Sequence, residues 1–153
     1  MIDTRESILV RIKDIISTIA SPDRTLRNTD EVSGRGGTYA ILFDGDEAID
    51  EENDTTRSSL GDPSVVQDFM VMSPAVELIT GAETEDIGSE LNTLRRQLLP
   101  LILLDAELVS LVGSNGQIRY MGCSVETQAG DNREGTITFD FRFKYVLRVA
   151  DLM

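Results

Sequence analysis

The chain has 153 residues, 41% of them hydrophobic and 27% charged, a composition that suits one globular domain with room for a full core. Its formal net charge is −13, and its few Lys and Arg residues are scattered, with Arg95-Arg96 the one adjacent pair. That balance argues against a protein that grips duplex nucleic acid, which needs clustered cations to displace counterions. No apolar run approaches the ~18 residues of a membrane span, and the polar, acidic start does not read as a secretory signal. A single cysteine, Cys123, excludes an internal disulfide.

Residues 3–20 read as a helix. Asp3 and Glu6 have the spacing of a capping box, and Ile8, Ile12, Ile15, Ile16 and Ile19 recur at three- and four-residue steps. Ser21-Pro22 should end it. Residues 25–29 read as a short extended piece, and residues 33–37, rich in glycine, as a turn. Residues 38–43 alternate Tyr39, Ile41 and Phe43 and predict a strand. Residues 44–64 then turn acidic and small, a long connection without apolar periodicity, of a kind that is usually functional or mobile.

Residues 65–80 return to strand character, with an edge, bulge or break expected at Pro74, which has no N–H to give a ladder. Residues 81–85 suggest a turn. Residues 86–99 predict a second helix with Ile87, Leu91, Leu94 and Leu98 on one face; Pro100 should kink or stop it. Asp105 can cap a third helix over 106–112, closed by Gly113. Residues 117–127 and 136–147 predict two strands joined as a hairpin. In the last of these, Ile137, Phe139, Phe141, Phe143, Tyr145 and Leu147 alternate with Thr136, Thr138, Asp140, Arg142 and Lys144. Four of the eight aromatic residues of the chain sit in this one stretch, so the core should assemble on it. Twelve residues at ~3.3 Å each give ~40 Å, enough to cross the whole body and ask for a partner at its ends. The order of elements argues a single α+β domain, residues 1–153, with helices on one face of a mainly antiparallel sheet that ends in a long β-hairpin.

Catalytic chemistry is sought without success. The chain has no histidine, which removes the usual general base, the Ser-His-Asp arrangement and most zinc sites. Cys123, inside a predicted strand, reads as an inert, partly buried thiol. Seven of the eleven residues 44–54 are acidic, but Ala48, Ile49 and Thr55 stand where a calcium loop needs an oxygen ligand, glycine and glutamate. Residues 34–37 lack the ending of a phosphate loop. Glu83, Glu85 and Asp86 precede a helix and suit dipole and capping duty better than acid–base work. The leucine-rich stretch 91–104 reads as core packing rather than a groove binder. No enzyme and no cofactor or metal are expected; the rival from another class is a carboxylate-dependent metal hydrolase using Asp44, Asp46 and Glu47.

One resemblance runs through nearly the full chain. It is carried by Arg27-Asn28, Leu42-Phe43-Asp44-Gly45-Asp46, Met72-Ser73-Pro74-Ala75-Val76, Asp86-Ile87-Gly88 and Leu94-Arg95. It continues in the 108–113 segment, Asn115-Gly116-Gln117-Ile118-Arg119-Tyr120, Gly122-Cys123 and residues 139–145. In the order and spacing of these segments the chain resembles the small tail-terminator, or tail-completion, proteins of long-tailed bacteriophages. The resemblance implies a virion protein of the tail and neck, made in the host bacterial cytoplasm. It implies a homo-oligomeric ring, commonly of six copies, that caps the head-proximal end of the tail tube. The implied partners are the tail tube protein and a neck or connector protein, or a sheath protein, with DNA passing through the ring and no membrane contact. A head-completion or connector-adaptor subunit is the alternative within the same class. The acidic insertion after Asp46 exceeds the loop expected there. Candidate interface residues are Asp44, Asp46, Glu47, Asp50, Glu51 and Glu52 in the acidic segment, and Asp140, Arg142 and Lys144 on the polar face of the last strand.

Overall fold

The computed structural model describes residues 2–29, 37–50, 67–81, 86–128 and 134–153. Among them, three α-helices pack on one face of a mixed, mostly antiparallel sheet of seven strands, the expected α+β class. The elements are α1 (Thr4–Ser17), β1 (Thr25–Arg27), β2 (Gly37–Phe43), β3 (Glu47–Ile49), β4 (Gln67–Met72), β5 (Ala75–Gly81), α2 (Ile87–Leu103), α3 (Ala106–Val112), β6 (Gln117–Gln128) and β7 (Glu134–Arg148).

Strand β7 is the axis of the sheet. Its period of two sends Ile137, Phe139, Phe141, Phe143 and Tyr145 under the helices, none more than 1% exposed. The rings of Tyr120, Phe139, Phe141 and Phe143 meet at centroid distances of 5.9 to 6.5 Å. Each such side chain removed from water contributes roughly 1.5–3 kcal/mol. The strand is 15 residues long, or ~50 Å at ~3.3 Å per residue.

On one edge β7 pairs with β6; on the other it pairs with β5 and then β4. The register is the same on both sides of Pro74: Met72 faces Phe143 and Ala75 faces Asp140. So β4 and β5 are one extended run with a proline in it, as residues 65–80 predicted. Pro74 still accepts from the Phe141 N–H at 3.1 Å, and the ladder lacks only the bond a proline cannot donate. The next layer repeats the theme. From Phe43 facing Ala75 to Glu47 facing Met72, one strand advances four residues and the other three. The extra residue falls beside Gly45, whose φ of 71° a side chain rarely adopts and where a Cβ would lie 1.9 Å from the Ser73 carbonyl oxygen.

Several expectations are corrected. The acidic connection is not featureless from its start, because Glu47–Ile49 forms the edge strand β3 against β4; residues 51–66 lie outside the described residues. In β2 the helix-facing residues are Ala40 and Leu42, so Tyr39, Ile41 and Phe43 face the other way. The short piece β1 pairs with β2 in parallel, the one parallel contact of the described sheet. Of the kink or stop expected at Pro100, the stop does not occur: helix α2 runs on to Leu103. A proline inside a helix costs about 3 kcal/mol, and the burial of Leu98 and Ile102 on either side offsets it. The glycine-rich turn at 33–36 and the turn at 82–85 lie outside the described residues, apart from Gly81, which closes β5.

The helix caps follow the sequence. Asp3 accepts from the Glu6 N–H, Asp86 from Ser89 and Asp105 from Leu108. Only half of the first capping box forms, because the Glu6 carboxylate turns to Arg27 instead. Leu9 joins the isoleucine stripe of α1 in the core, and Ile19 packs on its margin. No helix among the described residues is long and apolar enough to cross a membrane.

Candidate assembly surface

Beyond β6 there is no further strand among the described residues, so one edge of this 12-residue strand is unpaired. An edge that long is a template for another chain unless charge, a bulge or a cover blunts it. At Tyr120 the strand is still anchored: its ring lies on Phe139 and Phe141, and the Arg95 guanidinium of α2 sits over it at 5.9 Å. Burial pushes the Tyr120 hydroxyl above its ordinary pKa, Cys123 adds to this, and Arg95 opposes it. Past that point the helices still cover β7 but no longer cover β6. Met121, Cys123 and Val125 are exposed, Met121 at 44% and Val125 at 52%. The expectation of a partly buried Cys123 is therefore overturned; the strand has run out from beneath the helix layer.

The register decides which charges meet on the opposite, helix-free face. Met121 is an extra residue: Tyr120 faces Phe141, yet Gly122 faces Asp140. This bulge places Arg119 directly across from Arg142. Toward the hairpin end, Glu126 faces Thr136 and Gln128 faces Glu134. One solvent-facing ribbon thus carries Arg119 and Arg142 near one end, Asp140 beside them, and Glu126 and Glu134 toward the hairpin end. Counting back from the hairpin without the bulge would have set Arg119 against Phe143, on the wrong face, so no sequence signal marked it. Glu126 and Glu134 were equally unmarked.

The candidate residues of the acidic segment have other occupations. Asp44 takes Arg27 at 2.8 and 2.9 Å, and Arg27 also holds Glu6 with two bonds of 2.8 Å. The Arg27 bonds hold both the Asp44 and Glu6 carboxyls below the usual carboxylate range, and the two carboxylates raise Arg27 in turn. Glu47 lies 3.2 Å from Arg5. Asp50, 6% exposed, lies 3.5 Å from Lys144, so two of the candidates meet inside one subunit. Asp46 is exposed, and its carbonyl accepts from Ser73. Glu51 and Glu52 lie outside the described residues, as do Glu83 and Glu85. Asp140 is exposed and Arg142 half-buried, on the ribbon itself. Two carboxylates of the supposed metal trio, Asp44 and Glu47, are thus held by guanidinium groups.

Comparison of the chain with protein-family models and with curated proteins returns no match. What the geometry offers is separated charge on one face of the β6–β7 ribbon, beside a strand edge that is unpaired among the described residues.

Proposed function

We propose that this chain is a structural virion protein, a tail-terminator subunit that closes into a ring at the head-proximal end of the tail tube and presents the surface on which the neck docks. The observation that carries the reading is the 12-residue edge of β6, unpaired among the described residues and held out by β7, the longest described strand. In a closed ring such an edge is met by the neighbouring copy and no template is left open. The resemblance to phage tail terminators supports the same role, as does the α+β architecture that resemblance implies. With a net charge of −13, a ring of such subunits repels the phosphates of DNA passing through it. This role asks for no catalytic group.

Two measurements test it. The mass of the purified protein should correspond to a closed oligomer; a monomer at every concentration refutes the ring. Tails assembled without the protein should be overlong in electron micrographs. Tails of normal length, detached from heads, would assign the chain to the connector instead.

A further inference from the structure

Arg5, Arg11 and Arg27 each hold a carboxylate of their own chain. Arg119 and Arg142 hold none among the described residues, although the chain has 27 acidic residues for 14 basic ones. They also stand directly opposite each other in the ladder. Like charges in that position destabilise an antiparallel pair. A pair of guanidinium groups left together amid such an excess of acid is a site waiting for carboxylates from outside.

The same ribbon supplies them. Glu126 and Glu134 lie exposed toward its hairpin end and on the same face, with Asp140 between them and the arginines, again with no ion-pair partner among the described residues. The surface is complementary to itself when one copy is displaced along the next. Lys144 contributes little to it, being paired with Asp50.

We infer that the helix-free face of the β6–β7 ribbon is the contact between copies of this chain, Arg119 and Arg142 of one copy meeting the acidic end of the ribbon in the next. The inference rests on the ring reading and gives that ring its chemistry. Complementary charge of this kind sets register and rejects wrong partners.

The test is the mass of the protein by light scattering. Association should weaken about tenfold in ~1 M salt, where the Debye length falls to ~3 Å. Arg119→Glu/Arg142→Glu should weaken it about a hundredfold, because repulsion replaces attraction. Glu126→Lys/Glu134→Lys should do the same. Mixing the two variants should restore assembly, since both patches of the first are then acidic and both patches of the second basic. Failure of the mixture to assemble, or association indifferent to salt, overturns the inference. So does an Arg119→Glu/Arg142→Glu protein with the unaltered mass, which leaves the ring standing on other contacts. If that protein keeps its mass and instead loses binding to a DNA duplex, the arginines are phosphate ligands and the inference also fails. A parent chain that is monomeric throughout removes both the inference and the ring.

Discussion

Arg27 joins two elements distant in the chain by donating to both oxygens of Asp44 and both of Glu6, every bond between 2.8 and 2.9 Å. Bidentate guanidinium–carboxylate pairs are among the stronger polar contacts. This one ties the start of α1 to the end of β2 across β1. The Glu6 half is discounted, since that side chain is half exposed.

Replacing Arg27 by Ala should therefore lower stability by about 1–2 kcal/mol at neutral pH. The pH dependence has a definite sign. Both carboxyls are depressed by Arg27 in the folded state, so on acidification the unfolded chain takes up protons first. The contribution is complete above the ordinary carboxylate range near pH ~4 and is lost as pH falls through the lower folded values. Urea midpoints measured from pH 7 to pH 3 should fall less steeply in Arg27→Ala than in the parent. Parallel curves would show the network contributes nothing.

Phe141 stands at the centre of the fold. It is 1% exposed, touches the rings of Tyr120, Phe139 and Phe143, and faces Pro74 where β4 passes into β5. Phe141→Ala should cost about 3–5 kcal/mol, the range for an aromatic side chain removed from a packed core. Chemical denaturation measures this directly. A loss below ~1 kcal/mol would mean the aromatic row is not the core.

Gly45 allows the extra residue between β2 and β3. Ala there would combine a φ of 71° with a Cβ 1.9 Å from the Ser73 carbonyl oxygen, which is backbone and cannot swing away. Gly45→Ala should lose about 2 kcal/mol or more. Gly88, where an added Cβ meets nothing within 4 Å, is the control. As a residue in the first turn of α2, Gly88→Ala should be neutral or stabilising by up to ~1 kcal/mol. The same thermal melts read both, and equal effects would sink the assignment of the bulge.

Cys123 should react with a thiol reagent in dilute native protein nearly as fast as in urea, because it is exposed on the uncovered stretch of β6. Protection that persists in dissociated chains and vanishes only on unfolding would place a cover over the ribbon.

Local chemistry was legible throughout. The isoleucine stripe of α1, the aspartates capping three helices, the period of two in β7 and the interruption at Pro74 are all set by neighbours within a few residues. So they can be read from order alone. At Pro100 the order left both a kink and a stop open, and burial against a sheet formed from distant segments outweighed the local penalty. The facing of β2 was hidden likewise: Ala40 and Leu42 are no more apolar than Tyr39, Ile41 and Phe43, and the helix layer alone chose between them. The carboxylates of the acidic segment looked like a free surface until Arg27, Arg5 and Lys144 were brought to them from elsewhere in the chain. Most of all, one extra residue at Met121 moved Arg119 from the buried face to the open one. By itself, the sequence determined where the three helices and the long strands would form, though not the short edge strand β3. The tertiary structure decided which side of a strand is covered and which charges become neighbours, since both depend on register between segments the chain keeps far apart.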